Sequence, residues 1–449
     1  MLRFGTDGVR GDADADLTPP LVFALGRAAA RVLGVDTFVV GRDTRASGPR
    51  IEDDLIQGFA AEGAQATSLG VAPTPAVAFV AQREATPGAI VSASHNAWTD
   101  NGVKIVGHDG RKLPDDVETA IEAEMLDIVT ASPAPEERSV PEPASRNRDM
   151  ADSLTPVAAG DIDAYVAHLV GALEGRTLRG LHIVLDCANG AASELGPRAL
   201  VAAGARVDVI NAQPDGRNIN AVSGSTYPEG LQRAVRAAGA DLGLALDGDA
   251  DRVVAVDEHG ELVDGDQIMV MTALDWHERG ALRDDAIVVT VMSNLGLRRA
   301  LGTAGVGIVE TPVGDRHVVA AMAERNLAIG GEQSGHIVFA DLATTGDGML
   351  TGLIVADLVV RRGARLSQLA GQMTRLPQVL VNVRPTGSVE LDDEPVRAAI
   401  DAVVHSLGDR GRVVVRASGT EKVVRVMVEA PTEAEAADAA AQVQAALEA

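Results

Sequence analysis

Aromatic residues are scarce in this chain. Phe, Tyr and Trp make up 2% of its 449 residues, although 46% of the sequence is apolar. Packed cores are therefore available, but they must be built from Ala, Val, Leu and Ile. Cysteine is rarer still: Cys187 is the only one, so no intrachain disulfide can form, which fits a reducing cytoplasm. No apolar run reaches the roughly 18 residues of a membrane-spanning helix. The opening "MLRFGTDGVRG" has no apolar h-region and does not read as a signal peptide. A cytoplasmic location is the expectation. Positive charge is also short. The formal net charge of −25 repels polyanions, which argues against nucleic acid or an anionic membrane as partner. Among the cations lysine is almost missing, with only Lys104, Lys112 and Lys422. Arginine cannot release a proton under working conditions, whereas a lysine can be tuned to do so. On this clue alone, composition bias is the simpler account of the split.

What is present is repetition. A chain of this length fits about three or four domains. Segments 37–77, 181–216 and 286–315 each run from a short Val/Ile stretch through a polar turn into a helical stretch. The helical stretches end at Gly63-Ala64, Gly204-Ala205 and Gly305-Val306, and a second apolar run and a Pro-containing loop follow. Strand, helix, glycine stop and strand make a βαβ crossover, which implies parallel pairing. Three occurrences point to three similar α/β domains rather than one large sheet. Residues 131–149, rich in Pro, Ser and charge, read as a linker or exposed loop after a helix near 115–128. From 378 the pattern changes to strand (378–385), helix (394–407), two strands (411–416 and 422–430) and an Ala-rich helix from 432. The expected fold class is α/β: three similar α/β domains with mixed sheets, plus a smaller C-terminal α+β domain, around a central cleft. The expected boundaries are 1–150, 151–255, 256–375 and 376–449.

The strongest chemical signal is "ADLGLALDGDADRVVAVD" (240–257), where an apolar strand runs into Asp247, Asp249 and Asp251. Carboxylates this crowded repel one another unless a hard cation neutralises them. An EF-hand is excluded, because its sixth loop position needs glycine and here holds Arg252. In "VVVRASGTEKVVRVMV" (413–428), Ser418, Gly419 and Thr420 can form a backbone anion nest. Arg416 and Arg425 flank it with fork-like donors, so phosphate monoester is the natural guest. The "AIGGEQSGHIVF" stretch (328–339) offers Glu332 and Ser334 on a glycine-flexed loop, a donor and acceptor set suited to sugar hydroxyls. His336 there reads as a structural histidine.

Ser94 and His95 lie side by side in "GAIVSASHNAWTDNGVKIV" (88–106). No G-x-S-x-G surrounds the serine, so a hydrolase nucleophile elbow fails. On extended chain His95 would point to the opposite face and be badly placed as a base. No Gly-Lys dipeptide and no G-x-G-x-x-G exist, which removes the P-loop and the dinucleotide fingerprint. A serine, a lysine (Lys104), a cation site and a phosphate clamp remain, and these are parts for phosphoryl transfer.

In chain order, "FGTDGVRG" (4–11), "SASHN" (92–96), "DGDADR" (247–252), "VGDRHV" (313–318), "GGEQSGH" (330–336) and "RASGTE" (416–421) resemble the signature segments of the α-D-phosphohexomutase superfamily. They span the whole chain and are more similar to the phosphoglucosamine mutase branch than to the mannose/glucose branch. The resemblance implies an intramolecular phosphotransferase with a phosphoserine at Ser94. It implies one Mg²⁺ held by Asp247, Asp249, Asp251 and an oxygen of that phosphoserine. Glucosamine 6-phosphate would become a hexosamine 1,6-bisphosphate, turn over in the cleft and leave as glucosamine 1-phosphate, a supplier of cell-wall precursor synthesis. Arg10 and Lys104 would offset the phosphoserine charge. Lys104 is the expected general acid/base, with His95 in reserve. Arg252, Glu332 and Ser334 would contact the sugar phosphate, and Arg416, Ser418, Gly419, Thr420 and Arg425 the non-reacting phosphate. The expected partner is a small-molecule sugar phosphate, and the resemblance leaves room for a homodimer. A phosphomannomutase/phosphoglucomutase is the alternative; a binding protein without catalysis and a phosphatase are further ones. Two departures stand out: Ala97 and Lys422 occupy positions where the superfamily usually has proline, and each loses a fixed φ. "WTD" at 98–100 is also off the common pattern.

Overall fold

The structure is a computed structural model that describes residues 3–5, 7–131, 154–155, 159–384, 393–417 and 423–448. The expected linker lies almost wholly outside the described residues; the helix before it runs Asp115–Ala131. Among the described residues the strands form four sheets. The first holds β1 (Phe4–Gly5), β2 (Gly8–Asp12), β3 (Thr37–Arg42), β4 (Gln65–Val71), β5 (Gly88–Val91), β6 (Asp100–Val106) and β7 (Leu154–Thr155) in the order β1-β2-β6-β5-β3-β4-β7. The second holds β8 (His182–Asp186), β9 (Arg206–Ile210), β10 (Leu242–Leu246), β11 (Val253–Asp257) and β12 (Leu262–Val263), ordered β12-β11-β10-β8-β9. The third is β14-β13-β15-β16, from β13 (Ala286–Thr290), β14 (Gly307–Thr311), β15 (Ile329–Gly331) and β16 (Ile337–Phe339). The last is antiparallel, β17-β19-β18, from β17 (Gln378–Val383), β18 (Arg412–Ala417) and β19 (Val424–Glu429).

The three repeats read in the sequence are three copies of one topology. β3/β4, β8/β9 and β13/β14 each pair in parallel across a single helix (Gly48–Ala61, Leu195–Ala202 and Leu295–Ala304). Gly63, Gly204 and Gly305 have φ of 87°, 98° and 79°, the left-handed turn that ends a helix at low steric cost. In each repeat a third strand joins in parallel, and a fourth turns back antiparallel to it: β5/β6, β10/β11 and β15/β16. Strand β10 is buried along its whole length, as expected where helices cover both faces of a sheet.

The cores are aliphatic, as the composition requires. Helices Pro19–Leu33 and Gly48–Ala61 approach backbone to backbone: a Cβ on Gly26 would strike the Leu55 carbonyl, and one on Gly58 the Phe23 carbonyl. The second and third units share one continuous core, in which Leu185 and Leu244 cluster with Ile268, Ile287 and Leu353. The C-terminal unit has its own, with Val426 and Val428 under Val396 and Val443. Among the described residues no helix is long and apolar enough to cross a membrane.

Candidate active site

The turn between the third and fourth strands carries the candidate site residues in every repeat. β5–β6 bears Ser94, β10–β11 bears Asp247, Asp249 and Asp251, and β15–β16 bears Glu332 and Ser334. Each turn contains one residue in the left-handed region: Ser94 at φ 52°, Ala250 at 57° and Gly335 at 93°. Only the third uses glycine, because a Cβ there would strike the Val253 carbonyl; Val253 N–H donates to Gly335 O at 3.1 Å, docking the third turn on the second.

Ser94 is fully buried, and its Oγ donates to Asp247 Oδ2 at 2.8 Å. The expectation that His95 points away from it is overturned. The backbone at Ser94 is left-handed rather than extended, so the alternation of faces fails and His95 Nδ1 comes to 3.3 Å from Ser94 Oγ. Burial, then the charges of Arg252 and Arg10, lower the His95 pKa to about 4, so the imidazole is neutral near pH 7.

Asp247, Asp249 and Asp251 are buried, with ligand oxygens within 4.8 Å of one another. Burial, then Asp251 and Asp249, push the Asp247 carboxyl well above its ordinary range. Asp249 Oδ1 and Asp251 Oδ1 are buried without a hydrogen-bond partner. Oxygen-only donors, crowded charge and two unused oxygens fit a hard divalent cation. Lys104 Nζ lies against the same cluster, 2.8 Å from Asp249 Oδ2, 3.3 Å from Asp251 Oδ2 and 2.9 Å from Asp7 Oδ2. Burial alone would lower its pKa, but Asp249, Asp7 and Asp251 outweigh that and hold it as an ammonium.

Beside this cluster lies a cleft of about 410 Å³ lined by Asp7, Arg10, His95, Asp251, Arg252, Asp315, Glu332 and His336, among others, a volume suited to one small ligand. Glu332 Oε1 accepts from Gly314 N–H at 3.0 Å, and Ser334 is exposed on the same turn. His336 is hydrogen-bonded, as expected of a structural histidine: its Nε2 accepts from Gly346 N–H at 3.1 Å. It is buried in the cleft wall, 3.7 Å from both Asp251 and Asp315. Sequence reasoning also missed Asp7, Lys112 and Asp315. Arg10, Lys104 and Lys112 all contact Asp7, and Lys112 bridges to Asp315 Oδ2 of the third unit at 2.6 Å. The signal was the lysine shortage: two of the three lysines meet on one carboxylate. Arg416 and Arg425 sit directly opposite each other on β18 and β19, an arrangement that like charges disfavour without an anion between them. Ser418, Gly419, Thr420 and Lys422 lie outside the described residues. Arg217 of the second unit stacks over Trp98 of the first, 5.2 Å from the ring centre. Another cavity of about 440 Å³, beside His168 and Trp276, has Arg176 and Arg361 in its wall. These are paired with Asp357 and Asp275, whereas His95, Asp251 and Arg252 bring the serine turn and the aspartate turn to the wall of the 410 Å³ cleft, which makes that cleft the candidate site.

Residues 1–131, 163–260 and 264–376 match the phosphoglucomutase/phosphomannomutase alpha/beta/alpha domains I, II and III, and residues 380–446 match the C-terminal domain. The chain belongs to this family. Among the phosphohexomutases, a phosphoglucosamine mutase of Frankia alni is 51% identical, covering 97% of this chain and 96% of its own. One from Rhodococcus opacus is 49% identical, covering 95% of each. A solved phosphoglucomutase/phosphomannomutase family protein of Burkholderia thailandensis superposes with a TM-score of 0.80 at 25% identity, over 98% of this chain and 96% of its own. An Aspergillus fumigatus N-acetylphosphoglucosamine mutase, solved with GlcNAc-6P and magnesium, gives 0.70 at 21% identity over 99% and 95%; at that distance the likeness concerns the fold alone.

Proposed function

We propose that this phosphohexomutase interconverts glucosamine 6-phosphate and glucosamine 1-phosphate through a phosphorylated Ser94. The observation that carries the reading is the meeting of Ser94 Oγ, three buried aspartates and Lys104 Nζ from two units in one cluster whose Asp251 reaches the cleft wall. The relatives near 50% identity, all phosphoglucosamine mutases, support the amino-sugar substrate.

In the forward direction the bond from Ser94 Oγ to phosphorus breaks as the sugar O1 to phosphorus bond forms. His95 Nδ1 is the neutral acceptor for the O1 proton, and Lys104 Nζ, held against the aspartate cluster, is the proton donor for the departing Ser94 oxygen. The 1,6-bisphosphate then turns over, its 6-phosphoryl returns to Ser94, and glucosamine 1-phosphate leaves. Phosphoserine carries about −1.5 to −2 charge at pH 7, which Arg10, Arg252 and Lys104 offset. Asp247, Asp249 and Asp251, with a phosphoserine oxygen, would hold Mg²⁺, which supplies charge neutralisation to the transferring group. Glu332 and Ser334 would hold sugar hydroxyls in both orientations. Arg416 and Arg425, with the 418–420 segment, would grip the distal phosphate, so that one clamp serves both half-reactions.

Two measurements test the reading. Intact mass of the purified protein should reveal one phosphate that Ser94→Ala abolishes. A coupled assay should favour glucosamine 6-phosphate over mannose and glucose phosphates. Equal turnover of all three would sink the substrate assignment, and free phosphate as the main product would sink the mutase.

A further inference from the structure

The Ser94 turn is bent into a conformation that a non-glycine residue adopts only under constraint. The constraint is a side chain that lies outside the cleft. Arg45 carries no exposed side-chain surface and spends all its N–H groups. Nε donates to Asp43 Oδ2 at 2.9 Å, and Nη1 to the carbonyls of Ala97 and, at 2.9 Å, Asp100. Nη2 donates to the carbonyls of Ser94 at 3.0 Å and Asn96 at 2.9 Å. Four of its five donors therefore hold backbone oxygens of residues 94–100. The network closes on itself: Ser94 N–H donates to Ser92 Oγ at 2.9 Å, and Ser92 Oγ donates to Asp43 Oδ2 at 2.6 Å. Asn220 of the second unit adds a donor to Ser94 O at 2.9 Å. Both ends of the Ser94 residue are thus tied, its N–H through Ser92 and its C=O through Arg45, with Asp43 joining the two.

We propose that Arg45 is the positioning residue of the Ser94 turn: its buried guanidinium holds the bend that aims Ser94 Oγ at Asp247, and so sets the rate of phosphoryl transfer without touching substrate. The proposal rests on the reading of Ser94 as phosphoryl carrier. It also accounts for Ala97. Where a proline would stiffen the turn from within by fixing φ, Arg45 stiffens it from outside by gripping the carbonyl of that same residue. A lysine could not substitute, because its three donors share one nitrogen and cannot span acceptors in a planar fork.

The test uses the full chain. R45K keeps a charge beside Asp43 and is expected to melt cooperatively. Its kcat should fall about a hundredfold, the scale of misplacing a reacting group by an ångström. KM for the sugar phosphate should stay within about threefold, because only the chemical step is impaired. Adding A97P should restore part of the lost kcat. S92A cuts the other arm by removing one hydroxyl. It should give the same kcat-only loss at about tenfold, and it carries the test alone if R45K does not fold. R45K or S92A with wild-type kcat overturns the proposal, as does a loss shared equally between kcat and KM. A wild-type enzyme that never carries phosphate on Ser94 overturns the proposed function as well, and intact mass separates that result from the others.

Discussion

The β5–β6 turn and the β10–β11 turn hold the same place in two repeats and are fixed by different means. The first is gripped by side chains, chiefly the Arg45 guanidinium, with Asn220 adding donors to the Ser94 and Asn96 carbonyls. The second is gripped by main-chain groups: Ala191 N–H donates to Gly248 O at 2.8 Å, Thr74 N–H to Asp249 O at 3.0 Å and Gly348 N–H to Ala250 O at 2.9 Å. The contrast follows from what each turn presents. A hydroxyl is neutral, so a buried cation behind it does no harm and offsets part of an arriving phosphate's charge. The aspartate turn meets its cations at the carboxylates instead of the main chain: Arg252 Nε lies 3.8 Å from Asp251 Oδ1. Amide donors can hold that turn in place without adding a net charge. Lys104 likewise contacts carboxylate oxygens, while Asp249 Oδ1 and Asp251 Oδ1 are left without a hydrogen-bond partner.

The comparison is broken most severely at the serine. Ser94→Ala should lower kcat by about 10⁴-fold or more, as loss of a nucleophile does, with the phosphate absent from the intact mass. Next is the cation turn: Asp249→Asn should lower kcat by about 10²–10³-fold. In the wild type, Mg²⁺ at a hundred times its Kd should add about 2.7 kcal/mol of stability, read as a rise in Tm that chelator reverses. The Asp249→Asn protein should have no such rise; an equal rise in both would remove the triad as the metal site. The third turn should give a milder result. Glu332→Gln should raise KM about tenfold through a weakened charged hydrogen bond, with kcat little changed, and a kcat loss without a KM change would exclude a binding role.

The smallest effect concerns what braces the second turn. Helix Gly348–Arg362 begins against Ala250, and Asp347 caps it by accepting from Leu350 N–H at 2.9 Å. Burial raises the Asp347 pKa from 3.8 to about 6, against the lowering effect of the Leu350 and Tyr165 hydrogen bonds. A carboxyl raised in the folded state contributes stability that is complete below its unfolded pKa and is lost as pH rises through the folded one. Wild-type stability should therefore decline between about pH 4 and 6, by at most about 3 kcal/mol. Asp347→Asn keeps an acceptor for the cap and should flatten that decline in a Tm-against-pH series.

Much of the architecture was legible because its signals are local. The glycine stops at Gly63, Gly204 and Gly305 and the Val/Ile runs around them specify each βαβ unit. What they could not specify is that the chemically loaded turns are equivalent across repeats, since the fourth strands share no local motif. In the site, Ser94 and the aspartates stand out by residue type and spacing. Arg45, Asp7 and Asp315 do not. Arg45 reaches its acceptors 49 to 55 residues away, and Lys112 links Asp7 to Asp315 through tertiary packing alone. His95 was misjudged because a left-handed serine leaves no trace in sequence, where glycine or asparagine would have.

The scarcity of aromatics gives the contact between Trp98 and Arg217 a practical use. Trp98 lies four residues past Ser94 and is one of only two tryptophans in the chain; the other, Trp276, stands in the cavity remote from the cleft. With Trp276 replaced by phenylalanine, the protein's intrinsic fluorescence would come from a single indole seated where the first two units meet. Phosphorylation of Ser94 would then be readable as a change in emission, without label or coupled enzyme, on the timescale of a stopped-flow mixing experiment.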